Sequence, residues 1–151
     1  MCRVFSYLVS LVMLLEESTC LARSVPPVNR KELNTTVEEA VNLVKAKLIE
    51  GGFNIFATVD HAKNAAGVDL ELRPTTVIIF GKPSVGTKLM QCAQEYAIDL
   101  PQKVLVYEDD MGRVWAVINN QRAVADRHGA RECNNLVEKV KEVLDNLLQS
   151  L

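Results

Sequence analysis

The chain reads as an α+β fold built on antiparallel strands, and three observations carry that reading. Two apolar-rich runs, 104–108 and 114–118, are joined by Asp109-Asp110-Met111-Gly112, a hairpin with glycine where a positive φ is needed. The order of elements is helix, strand, short helix, strand, helix, hairpin and helices. Consecutive strands joined by a hairpin pair antiparallel, which argues against a doubly wound parallel sheet. The 151 residues suit one domain, long enough to bury a core without disulfide or metal staples.

The amino terminus differs from the rest. Met1-Cys2-Arg3 is a short positive segment, 4–15 is almost wholly apolar, and Cys20-Leu21-Ala22 puts small residues where a cleavage site wants them. That is the pattern of a secretory leader, and the run falls short of the roughly 17–25 residues of a spanning helix. Glu16 and Glu17 interrupt it, and Glu17 stands where a lipid-anchor signal at Cys20 needs an aliphatic residue. Residues 1–22 are therefore expected to be a leader. The product is then exported, periplasmic or secreted, with no stable membrane insertion once the leader is cleaved. An uncleaved tether or a misread start codon is the alternative, the latter with a cytoplasmic product. Cleavage would leave Cys92 and Cys133 as the remaining cysteines. A disulfide between them is conceivable, but the helical placing of Cys92 favours a buried small hydrophobe.

Residues 23–35 contain Pro26-Pro27 and read as a linker or a weak edge strand; 36–151 read as a single domain. Thr35-Thr36-Val37-Glu38 is a capping box, Thr35 accepting from the backbone while Glu38 reaches back. Val37, Ala40, Val41, Val44 and Leu48 then follow helical spacing until Gly51-Gly52. The run 53–59 is a strand with Phe53, Ile55, Ala57 and Val59 on one face. Asp60 caps a short helix through Ala66, closed by Gly67. Arg73 is held extended by Pro74 and leads into a strand at 75–80. Gly81-Lys82-Pro83 turns the chain, and Ser84 or Thr87 caps a helix whose buried stripe is Leu89, Met90, Ala93 and Ala97. Pro101 stops that region. After the hairpin, 121–128 form a short helix stopped by Gly129, and 136–148 a longer terminal one.

Charge and composition exclude some functions. Aromatic residues make up 5% of the chain and the formal net charge is −2, so neither a base-stacking platform nor a basic nucleic-acid face is expected.

The run from Gly52-Phe53 to Asp60-His61-Ala62, then Leu70-Glu71-Leu72-Arg73-Pro74-Thr75, resembles domain-of-unknown-function family 302. Phe80-Gly81-Lys82-Pro83, Gly86-Thr87-Lys88-Leu89-Met90, 99–109 and Gly112-Arg113-Val114-Trp115 continue the resemblance, which covers about 36–129. It implies an antiparallel sheet with helices on one face, in the TATA-binding-protein-like class, in a bacterial or archaeal protein that is often exported and usually a homodimer. It implies no reaction and no cofactor. Two features depart from the family pattern: Lys82 stands where asparagine is usual, and the opening strand looks degraded into the Pro26-Pro27 stretch.

Four groups of residues are candidates for chemistry. Asp60-His61 sets a carboxylate beside an imidazole, able to tune a general acid or base or to meet a ligand; a backbone-bonded His61 at a strand–helix junction is the structural alternative. Gly81, Lys82, Gly86, Thr87 and Lys88 resemble a phosphate loop, but Thr87 precedes Lys88 where a P-loop has lysine first, and Pro83 removes an N–H. A weaker carboxylate or phosphate cradle at the helix start remains open there, as does a purely structural turn. Glu108-Asp109-Asp110 reads as a solvated hairpin tip without calcium-loop spacing. His128 near Cys133 lacks zinc spacing, and no metal is expected. Together these point to a homodimeric domain that binds or senses a small anionic or amphipathic ligand. His61 and the Gly81–Thr87 turn would line one pocket, with Phe53, Phe56 and Met90 as apolar walls. An enzyme using His61, or a purely structural or partner-binding protein, are the alternatives.

Overall fold

Five strands, β1 (Val28–Leu33), β2 (Asn54–Asp60), β3 (Thr75–Gly81), β4 (Gln102–Glu108) and β5 (Val114–Asn119), form an antiparallel sheet in the order β1-β5-β4-β3-β2. The structure is a computed structural model and describes residues 26–151. The expected leader, with its cleavage site at Ala22, lies outside the described residues.

The opening strand is intact rather than degraded. β1 pairs with β5 from Val28↔Asn119 to Leu33↔Val114. Pro26 and Pro27 sit just before it, where their missing N–H groups cost the ladder nothing. Helix α1 (Val37–Glu50) then crosses from the β1 edge to the β2 edge. Four strand spacings are roughly 19 Å, and fourteen helical residues span about the same length.

The capping box of α1 lies one residue later than the sequence suggests. Thr36 is the N-cap and accepts from the Glu39 N–H at 3.2 Å, while the Glu39 carboxylate accepts from the Thr36 N–H at 3.2 Å. That register makes Val37 the first helical residue and sets Val37, Ala40, Val41, Val44 and Leu48 on the buried stripe. Gly52 follows the helix at φ +69°, a conformation that glycine adopts without a Cβ penalty.

The main core lies between α1, the C-terminal half of α5 (Asn134–Gln149) and one sheet face. Ile78, Phe80, Val104, Val106, Ala116 and Ile118 point into it from the sheet, and Leu144, Leu147 and Leu148 from α5. The edge strand β2 departs from simple alternation. Its register shifts between Ile55 and Ala57, so Ile55 pairs with Phe80 on the core face while Ala57 and Val59 pair with Ile79 and Val77 on the other. A one-residue bulge inverts every later side chain, so Phe53 and Ile55 do not share one face with Ala57 and Val59 as the sequence predicts.

A second core gathers the remaining elements. Helix α3 (Pro83–Cys92) contributes Leu89, the 3₁₀ turn Gln94–Asp99 contributes Tyr96, and α4 (Gln121–Arg127) contributes Val124 and Ala125. Within α3 only Leu89 is buried; the helix ends at Cys92, so Ala93 and Ala97 do not continue its stripe. A disulfide joins Cys92 to Cys133, tying the end of α3 to the start of α5. Cys92 is therefore not the buried hydrophobe its spacing suggests: the residue is exposed, and its partner Cys133 is the buried one.

Neither core reaches the opposite sheet face. There Val59, Val77, Ile79, Leu105 and Val117 are half-buried. At its β1 side Trp115 lies under the guanidinium groups of Arg30 and Arg113, 4.7 and 5.3 Å from the ring centre.

Candidate functional site

A cleft of about 580 Å³ opens at the end of β3, along the seam between the two cores. Phe53 and Phe56 from β2 and its approach form one wall, and Val85, Leu89 and Met90 from α3 another. Leu136, Val140, Val143 and Leu144 from α5 close the third side, and Leu100 and Pro101, joined by a cis peptide, complete the end. The volume lies in the range of small-molecule sites. Phe53 is anchored edge-to-face on Phe80 at 5.4 Å, which fixes that wall to the main core.

Glycines make room at two points. A Cβ on Gly81 would come within 3.2 Å of the Phe56 ring, so this position keeps the ring close to the turn. Gly86 sits inside α3, where glycine costs about 0.5–1 kcal/mol relative to alanine. A Cβ there would meet only Leu100, at 3.7 Å. Helix packing does not demand glycine at this position, which borders the cleft.

The start of α3 does not form an anion cradle. Pro83 is the first helical residue and Lys82 the N-cap, with no side-chain capping bond. Ser84 and Thr87 thus lie inside the helix rather than capping it. The N–H groups of Val85 and Gly86 both donate to the Lys82 carbonyl, at 2.9 and 3.0 Å, so they are not free to meet a phosphate. Proline at the first position is the physical reason: it presets helical φ before either Ser84 or Thr87 could act as a cap.

Of the residues singled out from the sequence, Gly81, Lys82, Gly86 and Thr87 line the cleft; Lys88 does not. Asp60 and His61 stand at the far end of β2. Asn54 pairs with Gly81 beside the cleft and Asp60 with Thr76, so six residues of strand, roughly 20 Å, separate the two places. One pocket shared by His61 and the turn is not formed. Asp60 caps α2 (His61–Ala66), its carboxylate accepting from the Lys63 N–H at 2.9 Å. His61 is exposed and has no hydrogen-bond partner among the described residues, so it is not the backbone-bonded junction histidine either.

Two polar clusters lie away from the cleft. His128 Nε2 donates to the Asp99 carboxylate at 2.5 Å, and Arg127 donates to the same carboxylate at 2.9 Å. Tyr96 packs against His128 with ring centres 5.3 Å apart and donates to Gln121 at 3.4 Å. Burial, helped by the Asp99 charge, pushes the Tyr96 hydroxyl up to about 12. The hairpin tip is organised rather than merely solvated. Asp109 accepts from the Met111 and Arg113 N–H groups, the Arg113 guanidinium and the Trp115 indole. Desolvation pushes the Asp109 carboxyl up, but the bonds from Trp115, Arg113 and Met111 outweigh it and hold the group well below the ordinary carboxylate range. Among the described residues no three His, Cys, Asp or Glu side chains converge to hold a metal ion.

Sequence reasoning missed the α5 wall, Leu100-Pro101 and the Asp99–His128 contact. The stripe of α5 carries a signal in hindsight: Leu136, Val140 and Val143 are apolar beyond what the sheet-facing Leu144 and Leu148 require.

Comparison with known proteins agrees with this architecture. The uncharacterized conserved protein DUF302 from Bacillus stearothermophilus, known from its crystal structure, superposes with a TM-score of 0.77 at 13% identity, covering 83% of this chain and 98% of that one. At that identity the likeness shows the fold alone. Two curated relatives are named Fluoride-specific ion channel FluC 1, from Brucella suis biovar 1 (strain 1330) and Brucella abortus biovar 1 (strain 9-941). Each is 41% identical over 97 residues, 64% of this chain. The match spans 38% and 36% of those relatives, under two-fifths of their length. The family model described as Domain of unknown function DUF302 matches residues 29–151. Sheet, helices and motif set converge with that match, and the chain belongs to the DUF302 family.

Proposed function

We propose that this domain binds a small apolar or amphipathic molecule in the cleft between α3, α5 and the end of β3. The cleft carries the reading: about 580 Å³ bounded by side chains of both cores. Extraction of the purified protein into organic solvent, followed by mass spectrometry, tests it. A molecule recovered from the native protein and missing from a Val143→Trp variant supports the reading. Val143 is 48% exposed, so the larger ring fills the cleft without disturbing the core. Recovery of the same molecule from both proteins would count against the cleft.

The domain is further proposed to work as a homodimer that joins through the open sheet face. The half-buried row of Val77, Ile79, Leu105 and Val117 supports this, together with Val68, Leu70 and Leu72, which are 66%, 65% and 49% exposed beyond α2. Light scattering on an Ile79→Lys variant is expected to give half the native mass; an unchanged mass would remove this face from consideration.

Catalysis by His61 has less support, because the ring stands outside the cleft and bonds to nothing among the described residues. Fluoride conduction is not part of the reading. The similarity spans under two-fifths of the relatives bearing that name, and no helix among the described residues is long and apolar enough to cross a membrane. Export of the mature chain remains part of the proposal, on the pattern of residues 1–22 alone.

A further inference from the structure

The charges around the cleft narrow the ligand, and this inference rests on the reading that the cleft is a binding site. We propose that it takes a single-chain amphiphile with an anionic head, the tail lying between α3 and α5 and the head meeting Lys82 and Lys139 at the rim.

Two features of the lining carry this. The walls offered by Phe53, Phe56, Val85, Met90, Val140 and Val143 have no polar side-chain atom, so they suit a hydrocarbon. Among the described residues, the charged ones of the lining are Lys82 and Lys139, both positive, and no Asp or Glu borders the cleft. These lysines sit on separate elements, the β3–α3 junction and α5, and both are exposed. Neither forms an ion pair among the described residues, whereas Lys47, Arg122 and Arg127 all do. Lys82 Nζ lies 6.0 Å from the centre of the Phe53 ring, which places the ammonium over the aromatic wall.

Other ligand classes match only half of this surface. A free phosphate would leave the apolar walls against water, and the α3 start has no row of free N–H groups to hold it. A neutral hydrocarbon would leave both ammonium groups unmatched. An anionic amphiphile meets both halves, its tail against the apolar walls and its head beside two exposed ammonium groups.

Isothermal titration of the full chain with dodecanoate, dodecanol and dodecyltrimethylammonium, each below its micellar concentration, tests the proposal. Dodecanoate is expected to bind tightest. The double variant Lys82→Gln with Lys139→Gln is expected to weaken it roughly fivefold to tenfold while leaving dodecanol unchanged. Higher salt should erode the same difference. Gly86→Leu, and independently Val143→Trp, should abolish binding of all three. Equal affinity for dodecanoate and dodecanol, lost in both filling variants, would overturn the anionic head and leave the cleft standing. No binding of any probe, by the native chain or by a Leu11→Asp, Leu14→Asp variant, would overturn the cleft itself. Binding by a Leu11→Asp, Leu14→Asp variant alone would instead keep the cleft, identify the chain's own apolar run at 4–15 as its occupant and overturn the amphiphile.

Discussion

The two ends of the β2–β3 pair share one ladder and are built on opposite plans. At the Gly81 end the chain enters α3, meets a second core and is tied by the Cys92–Cys133 disulfide to α5, leaving a cleft between elements distant in sequence. At the Asp60 end a six-residue helix with no buried residue leads into Val68, Leu70 and Leu72, all exposed. Concavity arises where two cores adjoin, and Val140, which packs against both, marks the seam. The polar residues of the other end, His61 among them, face water on a surface with no second core behind it. Asp60 and His61, adjacent in sequence, therefore border no cleft, whereas Gly81, Lys82 and Gly86 border one.

Substitutions at the two ends should differ in size accordingly. Leu89→Ala, at a side chain 1% exposed that belongs to both the second core and the cleft wall, is expected to cost about 2–5 kcal/mol in urea unfolding. A comparably small loss at Leu89 and at exposed Leu70 would erase the distinction between the ends. Replacing Cys92 and Cys133 together by serine opens a loop with a sequence separation of 41, and should cost about 2–4 kcal/mol. Dithiothreitol should have little further effect on that variant; a reducing agent that leaves the native protein's midpoint unmoved would remove the tie from the account.

Tyr96 gives the second core an alkaline limit. Its folded value lies above the ordinary 10.0, at about 12, so its contribution is fully present below pH 10 and is lost as pH rises through about 12. Tyr96→Phe should flatten that limb of the stability profile, and an unchanged limb would assign it elsewhere. At the other end, Asp60→Ala removes the cap of α2 and should cost about 1 kcal/mol, while His61→Ala should stay within about 0.5 kcal/mol. A larger loss at His61 would show a partner for the ring that the fold does not otherwise reveal. Opposite in sign, Gly86→Ala should stabilise by about 0.5–1 kcal/mol, read as a raised thermal midpoint.

Much of this architecture was legible from local pattern. The α1 stripe, the Asp60 cap, the hairpin with Gly112 at φ +74° and the stop at Gly129 all follow from residues within one or two turns of each other. Where local signals compete, reading them is less secure. Thr35 and Thr36 both precede an acidic residue at capping distance, and the choice of Thr36 follows from Val37 fitting the core as first helical residue. Ser84 and Thr87 are good caps, yet Pro83 starts the helix before either. The β2 bulge has no signal in composition at all, because side-chain alternation looks the same until a neighbouring strand sets the register.

The sequence by itself determined the α+β class and most helical and strand segments, since these depend on periodicity and turn chemistry within short stretches, and its motif set carried the resemblance to the family. It also picked out Gly81, Lys82, Gly86 and Thr87 as residues of one place. Tertiary structure alone decided that His61 lies a strand's length away, that α5 closes the cleft and that Lys139 joins Lys82 at its rim. The physical reason is the same throughout. Local preferences are settled by backbone sterics and nearby hydrogen bonds, whereas a cleft is the space left when two separately packed cores meet, and that space depends on every element that bounds it.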